Sequence, residues 1–147
     1  MNEITWFYLI DESGSPIASI EKYVQGGSGN INAFLSHFLF AIKSATKGLK
    51  DGEVKIMSIA GGKFFITRDS ATQYDFVIKA TKDAVPDSIN PVLHAIKRKF
   101  NDIFIDFPKL SLLRKGELIK EFQESIKNLL QDLDETNLDR FLKKKNN

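Results

Sequence analysis

The stretch Ile4 to Ile10 (ITWFYLI) leaves the fewest choices open to this chain. Read as a strand, it sets Ile4, Trp6, Tyr8 and Ile10 on one face and Thr5, Phe7 and Leu9 on the other, and both faces are apolar. A strand without a polar side needs cover above and below, so it belongs inside a sheet packed by helices on both faces. Asp11-Glu12-Ser13-Gly14-Ser15-Pro16 supplies turn chemistry, and Ile17 to Val24 reads as a second, more polar strand that closes a hairpin and forms a sheet edge.

Asn30 to Leu49 predicts a helix with two usable faces. Ile31, Phe34, Leu35, Phe38, Ile42, Ala45 and Leu49 recur at three- and four-residue spacing and form one stripe that must enter a core. The opposite side carries Ala33, His37, Phe40, Ala41 and Ser44, where a solvated surface would show Lys and Glu. Either a partner covers that side, or Phe40 is one of the single apolar residues that any surface tolerates. The preceding Gln25-Gly26-Gly27-Ser28-Gly29 has linker composition. It lacks the spacing and the lysine of a phosphate-binding loop, so it reads as a crossing segment and not as an anion site.

Three strands follow in close succession: Glu53 to Ala60, Lys63 to Arg68 and Gln73 to Ala80. Gly61-Gly62 is a hairpin signal between the first two, and Asp69-Ser70-Ala71-Thr72 a polar turn before the third. The last strand is the one suited to pair with Ile4 to Ile10. Asn90 then caps a helix with Pro91 in its first turn, its apolar stripe running from Ile89 through Phe100 to Phe107, and Pro108 marks its end. A third helix spans about Gly116 to Leu133, with Leu118, Ile119, Phe122, Ile126, Leu129, Leu130 and Leu133 inward. Residues 134–147 form a short, frayed basic tail after a domain at 1–133.

Several function classes drop out. A chain of 147 residues is the size of one domain, and a hydrophobic share of 42% with 12 Phe excludes disorder as a global description. The absence of Cys removes disulfides, thiolate metal sites and cysteine nucleophiles together. No apolar run could span a bilayer, the amino terminus lacks a secretory pattern, and a net charge of +2 is too balanced to imply nucleic acid; a cytoplasmic protein is the expectation, at most peripheral at membranes through partners, since Lys143-Lys144-Lys145 would not anchor it alone. The two histidines, His37 and His94, have no metal-ligand spacing. No serine sits in a nucleophile elbow, and Glu53, Asp75 and Asp106 are scattered without a recognisable pairing. No catalytic, cofactor-binding or metal residues are therefore expected, and the chain is not expected to be an enzyme.

The Ile4 to Val24 hairpin, the Asn30 helix, the Gly61-Gly62 meander and the Asn90 and Gly116 helices follow one another in an order that resembles the longin-like, or SNARE-like, domain family, related to roadblock domains and small trafficking-complex subunits. The resemblance is one of topology, over about residues 3 to 133. It implies an α+β fold with a five-stranded antiparallel sheet ordered 2-1-5-4-3, the first helix on one face and the later two on the other. The reading of the first strand as inner and the second as edge agrees. The family's role implies a non-catalytic interaction scaffold in trafficking or signalling, binding a small GTPase, another longin-like or roadblock-like chain, or a second copy of itself. The expected interface joins Ala33, His37, Phe40, Ala41 and Ser44 to Lys55 and Met57 on the edge strand that begins at Glu53. The alternative is a sensor domain holding a small ligand in a pocket between sheet and helices.

Overall fold

The computed structural model describes residues 4–21, 38–59, 61–104 and 110–146, with side-chain surroundings given as far as residue 132. Strands β1 (Ile4–Ile10), β2 (Pro16–Glu21), β3 (Lys55–Ile59), β4 (Gly62–Asp69) and β5 (Tyr74–Thr81) form one antiparallel sheet in the order β2-β1-β5-β4-β3. The helices are α1, described over 38–46, α2 (Pro86–Ile103) and α3 (Leu112–Asn146). The order, the inner place of β1 and the edge place of β2 are those expected from the sequence.

Two apolar layers flank the sheet. On one face Tyr8, Ile10, Phe64, Ile66 and Val77 meet Ile42 of α1, with Trp6, Phe38, Leu39 and Met57 at the margin. On the other, Phe7, Leu9, Phe65, Phe76 and Ile78 meet Leu93, Ile96 and Phe100 of α2 and Leu118, Phe122, Ile126 and Leu130 of α3. Edge-to-face rings join Phe122 to Phe7, Phe100 and Phe104 at centroid distances of 6.2, 5.8 and 5.6 Å, an arrangement that adds to the burial of each ring. One helix covers one face and two cover the other, which is why β1 tolerates no polar side.

Strict alternation fails at the start of β1, and again in β2, where the pairing skips Ile17 between Pro16 and Ala18. Ile4 packs with Phe7 and Leu9, not with Trp6 and Tyr8. The register against β5 shifts between Ile4 and Trp6, so Thr5 is an extra residue and the side chains before it change face. The Thr5 hydroxyl donates to the Lys79 carbonyl at 2.9 Å and fixes the bulge.

Boundaries differ from expectation for local reasons. α1 ends at Thr46, short of Leu49: Gly48 takes φ 86°, the left-handed conformation that stops a helix, and the Leu49 amide turns back to the Thr46 carbonyl at 3.0 Å. The β3–β4 turn sits one residue earlier than Gly61-Gly62 suggests, because Ile59 pairs with Gly62 and Gly61, at φ 80°, is the turn residue. α2 begins at Pro86, four residues before the expected cap; Val85 is the N-cap, and Pro91 lies inside the helix. A proline at the first helical position loses no hydrogen bond for its missing N–H, so the helix can begin at Pro86 as readily as at Pro91. α3 begins at Leu112 and runs unbroken to Asn146, through the expected boundary at 133 and the expected tail. The first half of the Asn30 helix, the glycine-rich linker and Pro108 lie outside the described residues.

Candidate functional site

Of the seven residues expected at a partner surface, five are described. Phe40 is 85% exposed, on the side of α1 opposite the buried Ile42, and Ser44 one turn later is also exposed, with Ala41 half-buried beside them. Lys55 is exposed on β3, and Met57 is partly buried against the α1-side core. Both project from the α1 face of the sheet, since their ladder partners Ile66 and Phe64 belong to that core. Ala33 and His37 lie outside the described residues. Among the described residues β3 pairs only with β4, so its other side offers unpaired backbone donors and acceptors.

Phe38, expected in the core, is half-buried and touches Phe64 at a centroid distance of 6.4 Å. Within the described part of α1, Ile42 and Thr46 are the fully buried residues. Thr46 belongs to a cluster that the sequence reading missed. Asp75, with no exposed surface, accepts from Lys43 Nζ at 2.8 Å and from Arg68 Nε at 2.9 Å. Arg68 Nη2 donates to Thr46 Oγ1 at 2.8 Å, and Thr46 Oγ1 lies 3.1 Å from the Ile42 carbonyl. Arg68 and Asp75 are directly opposed on β4 and β5. A carboxylate taken out of water is tolerable only with partners of this quality. The missed signal was alternation: Asp75 stands in register with inward-facing Val77, and Arg68 with inward-facing Ile66. The cluster ties the end of α1 to the sheet and so sets how Phe40 and Ser44 are presented.

The loop between α1 and β3 is pinned at the same end of the sheet. Asp51 accepts from the Ser70 amide at 3.0 Å, from its hydroxyl at 2.7 Å and from Lys97 Nζ at 3.1 Å; Lys97 also reaches the Arg68 carbonyl at 3.2 Å. The Ser70 hydrogen bonds foremost, with Lys97 behind them, hold the Asp51 carboxyl below the usual aspartate value. Elsewhere, burial pushes the Lys79 ammonium down; its Nζ lies 4.0 Å from the centre of the Trp6 ring.

A recess of about 410 Å³ is lined by Asp69, Ala71, Thr72, Phe100, Asn101, Asp102 and Phe104. It sits at the rim, between the β4–β5 turn and the end of α2, whereas the alternative sensor reading would place a pocket between sheet and helices. One Asp69 carboxylate oxygen accepts from the Thr72 amide at 3.0 Å and hydroxyl at 2.7 Å, which shapes the turn. Among the described residues no cluster of His, Cys, Asp or Glu is arranged to hold a metal ion, and no helix is long and apolar enough to cross a membrane.

No family model matches the chain, and no curated protein matches it in sequence. Among solved structures, one titled "The Structure of the Mammalian SRP Receptor" is similar in fold, with a TM-score of 0.56 and 14% identity over 93% of this chain and 99% of that one. At that identity the likeness concerns the fold, and it extends over nearly the whole of both chains. The layered α+β arrangement is consistent with a longin-like fold.

Proposed function

We propose that this chain is a non-catalytic, longin-like interaction module whose partner surface is the outer face of α1 together with the free edge of β3, and whose partner is a small GTPase or another longin-like or roadblock-like chain in trafficking or signalling machinery. The observation that carries the reading is Phe40: a phenylalanine 85% exposed on a helix whose opposite side is clamped to the sheet. A large ring in water on a rigid element is what an interface anchor looks like before its partner arrives. Ala41 and Ser44 beside it are small enough to admit another backbone. The fold likeness to a structure titled as a receptor is in keeping with a binding role.

The test is Phe40→Glu, with folding checked by circular dichroism, self-association by light scattering, and partners by affinity capture from the native host. The folded variant is expected to lose the associations of the wild type. If it keeps all of them, Phe40 is an isolated exposed ring and the surface lies elsewhere. The same experiment separates a second copy of this chain from a different partner, since only the former changes the mass of the purified protein.

A further inference from the structure

The charge around the free edge of β3 leans positive: Lys47, Lys50 and Lys55 stand there against Asp51 and Glu53. Neither β3 nor the described part of α1 carries a carboxylate, whereas Lys43 and Lys55 lie on them, and Lys47 and Lys50 follow in the connecting loop. Lys43 is used up on Asp75. Lys47, Lys50 and Lys55 are all exposed, and among the described residues none of their ammonium groups forms a salt bridge. The two acids of the same loop keep their charge but are each held by a hydrogen bond, so the three lysines outnumber them by one. Asp51 is held by Ser70 and Lys97, and Glu53 Oε1 accepts from the Lys50 amide at 2.8 Å.

Geometry brings these lysines to one corner. The end of α1 is fixed over Arg68 and Asp75 by the Thr46 cluster, and the first residue of β3, Lys55, pairs with Ile66, two residues from Arg68 on the same face. The turn closed by the Glu53 amide on the Lys50 carbonyl at 3.1 Å holds Lys50 beside the start of the strand. Among the described residues, strand backbone without a ladder partner and ammonium groups without a salt bridge thus border one another.

We infer that the segment of the partner that reaches this corner is an acidic extended strand: its backbone continues the sheet beyond β3, and its carboxylates lie against Lys47, Lys50 and Lys55. This rests on the partner surface proposed above and adds the chemistry of what occupies it. A strand is favoured over an anionic lipid surface because the latter uses only the lysines and leaves the edge hydrogen-bonding groups of β3 to water. Cations at the rim of such an edge govern encounter rate and salt sensitivity and reject basic strands.

The probe is a synthetic decapeptide alternating glutamate with valine, titrated into the isotopically labelled full chain and followed by amide chemical shifts. Its lysine–valine counterpart and phosphatidylserine-containing vesicles run in parallel. Shifts centred on Lys55–Ile59 and on Lys47 and Lys50 are expected for the acidic peptide alone. Affinity should fall on the order of tenfold when salt is raised from about 0.05 to 0.5 M, and by a similar factor in Lys50→Glu combined with Lys55→Glu. Equal responses to both peptides, shifts away from β3, or no binding at millimolar peptide would overturn the inference. So would vesicle binding that the lysine variant abolishes while the peptide does nothing, which would assign the corner to a membrane surface. If Phe40→Glu abolishes partner association while the lysine variant leaves it and its salt dependence unchanged, the surface stands and its acidic occupant does not. If both variants keep every association, both fall together.

Discussion

With Lys43 on one side and Arg68 on the other, Asp75 holds α1 against the sheet at a place where the apolar layer gives way to charge. Removing its charge would leave two mostly buried cations facing each other. Asp75→Asn is therefore expected to cost about 3 kcal/mol in urea denaturation, near the low end for breaking a buried pair because Lys43 and Arg68 keep some contact with water. A loss below about 0.5 kcal/mol, the range of ordinary surface substitutions, would show that the cluster is not a clamp. Asp51 makes the opposite case, a largely exposed carboxylate whose value comes from hydrogen bonds. Its folded-state pKa is depressed, so its contribution is present above the ordinary aspartate range and is lost as pH falls through the lower folded value. Asp51→Asn should lower stability at pH 7 by no more than about 1 kcal/mol, given the exposure of the side chain, and the gap to wild type should close as pH falls through the folded value. Thermal melts of both proteins across that range measure it; a gap that persists at low pH would mean that Asp51 acts through shape and not charge.

At the scale of elements, α3 is longer than the body it packs on. Its 35 residues extend about 52 Å at 1.5 Å per residue, whereas the eight residues of β4 or β5 span only about 27 Å. The buried residues of α3 among those described run from Leu118 to Leu130. Truncation after Asp132 is therefore expected to leave the domain folded, with less than about 1 kcal/mol lost in chemical denaturation. A collapse of the truncated chain would show that the remainder of α3 contributes to the core. At the other end, Leu112 and Leu113 are 87% and 77% exposed, so the helix starts outside the apolar layer that its middle enters.

For the whole molecule, burial on both faces makes β1 and β5 the centre of the sandwich, while β2 and β3 close its two edges. Native-state hydrogen exchange should rank them accordingly, with β1 and β5 amides the slowest and the outward amides of β3 among the fastest of any strand. Protection of β3 equal to that of β1 would mean that its edge is already covered, for instance by a second copy, and would move the partner surface from potential to occupied.

Much of this architecture was legible in the chain because it follows from short-range pattern. An apolar seven-residue stretch with no polar side can only be an inner strand, and the 3.6-residue stripes of α2 and α3 mark which sides they bury. Phe40 stood out for the same reason, being an aromatic on the wrong side of its own helix. What the chain could not reveal by itself were effects of residues far apart in sequence. The bulge at Thr5 exists only against Lys79, and Asp75 became a structural centre only when folding brought Lys43, Thr46 and Arg68 around it. Helix ends shifted where competing starts were close in strength, as at Pro86 against Asn90. Periodicity is a property of neighbours along the chain and survives in the sequence. A buried ion cluster is a property of neighbours in space, whose mutual attraction appears only once water has been excluded from between them.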